Sequence, residues 1–270
     1  MPELPEVEVL RRDLQSEVVG AQVVSVVVTG PRTVRRQDPG ALVARLTGAR
    51  LTAAGRAGKY LLVGLDGGSD TLVVHLRMSG RLILTDAHGG CAVHTHAVIR
   101  LSDGRELHFV DPRTFGELFI SREPPGPMGA DPFDPRWCPA DLARVLTGRQ
   151  ARLKALLMDQ RRLAGLGNIY SDEALFTAGL RFDRPAGSLR RAEVGRLHGA
   201  IVDTLAAAVE HRGSTLGDGG YVDLHGRPGA HQDHHRVYAR EGRPCLRCAR
   251  PVVRLRLGNR STFLCPVCQS

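Results

Sequence analysis

Four of the six cysteines are spaced as metal ligands. Cys245 and Cys248 form one C-x2-C pair, Cys265 and Cys268 form a second, and sixteen residues separate the two pairs. Such pairs supply four thiolates to a tetrahedral Zn²⁺ ion, and a site with four protein ligands is structural because no position is open to a substrate. We therefore expect one structural zinc ion rather than disulfides, which are rare in cytoplasmic proteins.

The residues between the cysteine pairs alternate as a two-stranded ribbon does. Gly258-Asn259 stands where a tight turn belongs. The pattern predicts a zinc-bound β-hairpin that carries Arg254, Arg256 and Arg260, whose side chains suit a nucleic acid.

Lysine is nearly absent from the chain. Of 37 basic residues only Lys59 and Lys154 are lysines, and the others are arginines. A lysine ammonium is compact and able to give up its proton, whereas a guanidinium stays charged. We therefore expect each of the two lysines to have a specific role.

The chain opens with PELPEVE, in which prolines alternate with carboxylates. Pro5 and Glu6 suit the first turn of a helix. The N–H groups of that turn have no partner within the helix, so the N–H that proline lacks is not missed, and a carboxylate there faces the positive end of the helix dipole. Pro2 and Glu3 precede that helix, and helix formation does not account for them.

Composition limits the class of protein. The chain has 270 residues, 42% of them apolar, and a net charge of +9, which favours a polyanionic partner such as nucleic acid. No apolar run approaches the ~20 residues of a membrane span, and the start of the chain does not read as a signal peptide. We expect a cytoplasmic protein with no membrane association.

The first part of the chain is rich in predicted strands. Asp103-Gly104 separates two of them and predicts a hairpin. Many short strands at close spacing are typical of a sandwich or a barrel. The strand-like runs are QVVSVVV, YLLVGL, LVVHL, RLILT, HAVIRL, ELHFV and ELFI.

The second part is predicted to be helical. A proline-rich stretch, SREPPGPMGADPFDPRWCP, is interpreted as a linker. Helical periodicity follows it, interrupted by LAGLGNIYS, a glycine turn that can aim backbone N–H groups at a phosphate. A Gly- and His-rich stretch comes next, and we interpret its His225, His231, His234 and His235 as solvated loop residues.

The chain resembles the formamidopyrimidine-DNA glycosylases, bacterial repair enzymes that remove oxidised purines. The resemblance covers nearly the whole chain and depends on PELPEVE, GLGNIYSDEALF and the finger that ends in CQ. It implies a multidomain α+β fold: a β-sandwich with flanking helices over 1–121, a linker over 122–138, a helix–two-turn–helix domain over 139–236 and a zinc β-hairpin finger over 237–270. Residues from about 214 to 236 would cap the lesion.

The resemblance also implies a mechanism. Removal of the initiator methionine would expose the amine of Pro2, and an α-amine titrates near ~8 and is partly nucleophilic at neutral pH. Pro2 would attack C1′ and form a Schiff base, Glu3 would protonate the leaving base, and Glu6 would support both. Lys59 would act in β-elimination. Arg260 is assigned to δ-elimination, although phosphate binding suits a guanidinium better.

Duplex DNA is the implied partner, and a monomer is the simplest expectation. Because the damaged base must leave the stack, side chains must fill the space that it vacates. Met78, Arg113 and Phe115 match the family's void-filling residues, although Met78 and Phe115 would otherwise suit a core. The further DNA contacts that the resemblance implies are His94, Lys154, Asn168 and Arg149.

Two alternatives stay open. The segment after STL lacks the Arg-Asp pair and the aromatic run that are usual in the family, which leaves the preferred lesion open. An endonuclease-eight-type enzyme for oxidised pyrimidines shares Pro2, Glu3, the lysine and the finger, but usually has glycine where Leu4 stands. A binding protein for damaged DNA without catalysis would need none of Pro2, Glu3 and Lys59.

Overall fold

This computed structural model describes residues 2–86, 90–123, 125–126, 128–217 and 219–270. The chain divides into two units: Met1–Gly126 with His211–Ala230, and Pro127–Glu210 with His231–Ser270. The finer boundaries expected from the sequence remain predictions. Within the described ranges, no helix is long and apolar enough to cross a lipid bilayer.

Two four-stranded antiparallel sheets make up most of the first unit. Their strands are β1 (Val23–Val28), β2 (Leu51–Ala57), β3 (Tyr60–Leu65), β4 (Thr71–His75), β5 (Arg81–Asp86), β6 (Thr95–Leu101), β7 (Arg105–Val110) and β8 (Glu117–Ser121). One sheet has the order β1-β6-β7-β5 and the other the order β2-β3-β4-β8.

The two sheets share one apolar core. Ile99 and Phe109 reach it from the first sheet, Val63 and Val74 from the second, and Leu10 from helix α1 (Leu4–Glu17). Helix α2 (Pro39–Leu46) adds its apolar face to the same core. The first unit is therefore a β-sandwich with flanking helices, as expected.

The hairpin predicted at Asp103-Gly104 is confirmed. Strands β6 and β7 pair on either side of it, with Arg100 opposite Glu106. Gly104 has a φ of +87°, a left-handed conformation that glycine adopts without a steric penalty.

The described residues of the second unit form four α-helices and a hairpin. The helices are α3 (Pro139–Leu146), α4 (Leu153–Leu157), α5 (Asn168–Ala178) and α6 (Arg191–Glu210), and the strands are β9 (Val253–Leu257) and β10 (Arg260–Leu264). The predicted glycine turn joins α4 to α5, and Gly167 is the N-cap of α5. Part of the stretch interpreted as a linker packs closely here: Gly129 lies so near Arg162 that a Cβ would come within 2.0 Å of its carbonyl carbon.

The β9–β10 hairpin does not stand alone in the second unit. Phe263 of β10 and the buried Cys245 and Cys265 share a small core with Phe176 of α5 and Val237. The guanidinium of Arg247 donates to two carbonyl oxygens at the end of α5, those of Phe176 and Thr177, at 2.9 Å each. The finger is therefore anchored on α5.

Candidate active site

Pro2 and Glu3 lie buried just before α1. Glu3 is the N-cap of the helix, and only 1% of its surface is exposed. Its backbone N–H donates to Oε2 of Glu6 at 2.7 Å, which is one half of a capping box. The helix start predicted from PELPEVE is confirmed, but the expectation that the helix does not account for Glu3 is wrong, because Glu3 is its N-cap. Only Pro2 lies outside the helix and its cap, and the cap fixes the backbone of Glu3 next to Pro2.

Glu6 also holds a distant segment of the first unit. Its Oε1 accepts a hydrogen bond from the backbone N–H of Ser214 at 2.8 Å. Gly213 has a φ of +80°, and a Cβ there would lie 2.9 Å from Cγ and Oε1 of Glu6. Burial and the charge of Glu6 hold the pKa of Tyr221 well above its ordinary value. The start of the predicted capping loop is thus tied to the same carboxylate as Glu3.

Lys59 lies in the tight turn between β2 and β3, half-buried. The next residue, Tyr60, pairs with His75 of β4. Burial, and then the charge of Arg77, lowers the pKa of His75 to about 3, and the charge of Lys59 acts in the same direction. His75 is therefore neutral near pH 7, and Nδ1 accepts a hydrogen bond from the backbone N–H of Arg77 at 2.9 Å.

The three predicted void-filling side chains are exposed. Met78 is 42% and Phe115 is 40% exposed, so neither is a core residue. The guanidinium carbon of Arg113 lies 5.0 Å from the centroid of the Phe115 ring, within cation–π distance. His94, a further predicted DNA contact, is exposed as well.

In the second unit, Arg149, Asn168 and Arg260 lie on three different elements. Arg149 is exposed after α3, and Arg260 is exposed as the first residue of β10. Asn168 begins α5, and its Nδ2 donates to the carbonyl oxygen of Ser261 at 3.0 Å. Asn168 is thereby linked to the residue next to Arg260.

The prediction that Lys154 contacts DNA needs correction in this structure. The side chain is 0% exposed, and Nζ lies 2.7 Å from Oδ1 of Asp172. Nζ also donates to Oγ1 of Thr262 at 3.0 Å. An ammonium enclosed in this way is not presented to a phosphate, and its visible role is to join α4, α5 and β10.

Asp172 is a buried partner of Lys154 that the sequence motifs do not indicate. Its Oδ2 accepts a hydrogen bond from the backbone N–H of Phe263 at 2.9 Å. Burial raises the pKa of Asp172 to about 7, although Lys154 acts against the rise. The sequence feature that could have indicated a role for Asp172 is its position one helical turn after Asn168, on the same face of α5.

The four finger cysteines form one cluster. Their sulfur atoms all lie within 4.8 Å of one another, with 3.9 Å between Cys245 and Cys268 and 3.5 Å between Cys248 and Cys265. Four Zn–S bonds of about 2.3 Å in a tetrahedron place sulfurs about 3.8 Å apart, whereas a disulfide needs about 2.05 Å. The cluster is a structural zinc site. Cys91 and Cys138, outside the cluster, are exposed free thiols.

The interpretation of the loop histidines is wrong for two of them. His231 is 5% and His235 is 4% exposed. Their rings pack between Tyr170 of α5 and Tyr238, with centroids 5.6 to 5.8 Å apart. Burial lowers the pKa of His235 to about 4, so the neutral ring acts here as a core side chain.

Three family profiles match the chain in sequence order. They are the formamidopyrimidine-DNA glycosylase N-terminal domain over residues 1–118, the H2TH domain of the same enzymes over 128–218, and a zinc finger found in FPG and IleRS over 242–270. Together they cover the predicted catalytic residues, the helical part and the zinc ligands.

Known proteins resemble the chain over its full length. The formamidopyrimidine-DNA glycosylase of Moorella thermoacetica is 45% identical, with 95% of each chain aligned. The crystal structure of the MutM (Fpg) protein of Thermus thermophilus is 43% identical, with a TM-score of 0.89 over 99% of this chain and 98% of that one. The Lactococcus lactis Fpg bound to DNA with an abasic site is 30% identical, with a TM-score of 0.90 over 99% of both chains. With this agreement in sequence, fold and zinc site, the chain belongs to the formamidopyrimidine-DNA glycosylase family of DNA-repair enzymes.

Proposed function

We propose that the protein removes oxidised purines, such as 8-oxoguanine and formamidopyrimidines, from duplex DNA and then cuts the strand at the resulting abasic site. The observation that carries this proposal is the buried Pro2–Glu3 pair held by Glu6. The helix cap accounts for Glu3 but not for the buried Pro2 before it. A binding protein has no use for a nucleophilic amine beside a carboxyl group.

The first step breaks the bond between C1′ and the damaged base. After removal of Met1, the nitrogen of Pro2 attacks C1′, and Glu3 supplies the proton that the departing base takes up. The C1′–O4′ bond then breaks, and O4′ takes up the proton that the Pro2 nitrogen gives up. A cationic Schiff base between Pro2 and C1′ remains. The hydrogen bond between Glu6 and the Glu3 backbone holds the Glu3 carboxyl group in position beside the Pro2 nitrogen.

The later steps break the strand. Loss of the C2′ proton allows the C3′–O bond to break, and a second elimination breaks the C5′–O bond. Lys59 is proposed to move the proton in the first elimination. Arg260, exposed on the finger, is proposed to hold a phosphate as it leaves, since a guanidinium forms two parallel hydrogen bonds with a phosphate.

Borohydride trapping tests the proposal directly. Protein shown by mass spectrometry to begin at Pro2 and to contain zinc is incubated with duplexes that carry 8-oxoguanine opposite cytosine, or dihydrouracil. We expect a covalent adduct on Pro2 that forms faster with the oxidised purine. A faster reaction with dihydrouracil would assign the endonuclease-eight-type activity instead. No adduct with either duplex would leave a non-catalytic binder of damaged DNA.

We also propose that the protein acts as a monomer in the cytoplasm, associated with the nucleoid. The net charge of +9 supports binding to a polyanion. Light scattering with size-exclusion chromatography, with and without a lesion duplex, tests the stoichiometry, and a 2:1 complex would contradict it.

A further inference from the structure

Asp111 occupies an unusual position at the end of β7. Its side chain is fully buried, and its two oxygens accept three hydrogen bonds. Oδ1 accepts from Oγ of Ser79 at 2.5 Å and from the backbone N–H of Arg113 at 3.2 Å. Oδ2 accepts from the backbone N–H of Gly116 at 2.7 Å.

These bonds join two separate turns of the first unit. Ser79 directly follows Met78, in the turn between β4 and β5. Arg113 and Gly116 bracket the turn between β7 and β8, which also contains Phe115. One carboxylate therefore fixes both turns that carry the three exposed side chains Met78, Arg113 and Phe115.

The backbone of Asp111 extends the same network to a third turn. Its N–H donates to the carbonyl oxygen of His94 at 3.0 Å. Its carbonyl oxygen lies 2.9 Å from Nε2 of His96. All four predicted DNA-contacting residues of the first unit thus lie on turns bound to Asp111.

Each of these turns contains a residue other than glycine whose φ angle is positive, in the left-handed region. The φ angles are +54° at Arg77, +69° at His94 and +55° at Thr114. A β-branched residue such as Thr114 is rarely found there, and such conformations persist only where surrounding contacts enforce them. The strain indicates that the turns are held in shape rather than free to relax.

We propose that Asp111 is a positioning residue that holds Met78, Arg113 and Phe115 as one preformed wedge for opening the duplex. The proposal rests on the proposed function, because it assumes that these side chains enter the stack when the damaged base leaves. A wedge that is already ordered loses little conformational freedom on insertion, so more of the contact energy is available to unstack the base.

The test compares Asp111→Asn with the wild type in two assays. The asparagine amide has one oxygen acceptor where the carboxylate has two. Its NH₂ group would face a donor that the second carboxylate oxygen now binds, so at least one of the hydrogen bonds to the turns is lost. The first assay follows the fluorescence of 2-aminopurine next to an 8-oxoguanine:cytosine pair, which reports unstacking before any bond breaks. The second traps the Schiff base on DNA that already contains an abasic site, where no base must be extruded.

We expect Asp111→Asn to slow the fluorescence change on the order of 100-fold, while trapping at the preformed abasic site stays within a few-fold of the wild type. Asp103→Asn is the matched control, because Asp103 also accepts a backbone N–H two residues later, from Arg105 at 3.0 Å, but in the β6–β7 turn. It should match the wild type in both assays.

Unchanged unstacking in folded Asp111→Asn, or an equal loss in both assays, would overturn the proposal. Failure of the proposed function is distinguishable, since the wild type would then form no Schiff base at the abasic site. If Asp111→Asn does not fold, Ser79→Ala and Thr114→Gly each loosen one turn and should slow unstacking without affecting trapping.

Discussion

Glu6 binds two backbone N–H groups that are far apart in the sequence. One belongs to Glu3, beside the proposed nucleophile, and the other to Ser214, 208 residues after Glu6. Both contacts are buried, so the loss of either would leave an unsatisfied donor. The position of Glu3 and the start of the predicted capping loop are therefore coupled through one side chain.

Gly213 provides the sharpest test of this coupling. In Gly213→Ala the new Cβ would lie 2.9 Å from Cγ and Oε1 of Glu6 and 3.0 Å from Cε1 of Tyr221, at a φ of +80°. We expect base excision under single-turnover conditions to fall on the order of 100-fold, because Glu6 must move and displace Glu3.

Gly48→Ala separates steric displacement from backbone strain. Gly48 has a φ of +85°, but a Cβ there meets nothing within 4 Å. This variant should lose about 1 kcal/mol of stability and retain wild-type excision. Equal excision rates for the two variants would argue against a coupling through Glu6.

The sequence indicated some of these residues and not others. The capping box is local, so Glu6 could be placed at the helix start from its spacing alone. Its second partner, Ser214, could not be found, because a hydrogen bond across most of the chain leaves no periodic pattern. The same holds for Asp111, whose side-chain partner Ser79 lies 32 residues away.

At the scale of elements, α4, α5 and β10 meet at one buried ion pair. Asn168, Lys154 and Asp172 all contact the first residues of β10 after Arg260. The orientation of the finger strand is therefore set by side chains of the two helices.

Lys154→Met would leave Asp172 buried without a cation. We expect a loss of about 3–5 kcal/mol at pH 8 and a smaller loss at pH 6. The difference arises because burial already raises the pKa of Asp172 to about 7, so the carboxyl group becomes neutral as the pH falls. Thermal unfolding at the two pH values measures this.

A second substitution serves as the control for Lys154→Met. Asp172→Asn keeps an acceptor for the N–H of Phe263 and removes the charge, so the double variant should recover part of the stability. Weakened DNA binding with no change in stability would instead support a direct phosphate contact by Lys154.

The buried His235 predicts a pH-dependent stability of the second unit. Burial lowers its pKa from 6.5 to about 4. A hydrogen bond with the backbone of Tyr238, and then the charge of Asp233, offset part of this effect, whereas Arg240 and His234 act with burial. Between about pH 6.5 and about pH 4 the imidazole of His235 is protonated in the unfolded chain but neutral in the folded chain. The stability of the fold therefore falls as the pH drops from about 6.5 to about 4. Between pH 7 and pH 5 we expect a loss of about 2 kcal/mol.

Denaturant unfolding of His235→Gln measures that contribution. The glutamine keeps a hydrogen-bonding group but does not titrate, so this variant should lose less stability on acidification than the wild type. His234→Gln, which alters the exposed neighbour, should stay close to the wild type, because the charge of His234 contributes least to the lowered pKa of His235. Identical pH profiles for all three proteins would contradict the assignment.

Element types were more predictable than element contacts. The Asp-Gly hairpin, the helix start at PELPEVE and the glycine turn before α5 are encoded in neighbouring residues, and all three are confirmed. The burial of His231 and His235 was missed, since a histidine-rich segment has the composition of a loop. Its contacts with Tyr170 and Tyr238 depend on tertiary packing.

At the scale of the whole molecule, the proposed catalytic residues Pro2, Glu3, Glu6 and Lys59 lie in the first unit and the finger lies in the second. Each unit has a core of its own. The core of the finger also includes Phe176 of α5, so loss of zinc should affect more than the hairpin.

Cys245→Ser should lose zinc and loosen the finger together with the end of α5, while the β-sandwich stays folded. Hydrogen exchange measures this: we expect protection to fall in 243–268 and near Phe176, and to persist in β1 to β8. Cys138→Ser, at an exposed cysteine outside the cluster, is the control. A loss of protection in the sandwich strands would contradict the independence of the two cores.

The left-handed residues Arg77, His94 and Thr114 have a consequence for protein engineering and evolution. Glycine or asparagine would adopt the positive φ at each position with less strain, so a search for heat-resistant variants would favour such replacements. The same replacements would soften the turns that present the wedge. Selection for stability and selection for repair should therefore oppose each other at these three positions, and a thermostable variant altered there should find damaged bases more slowly.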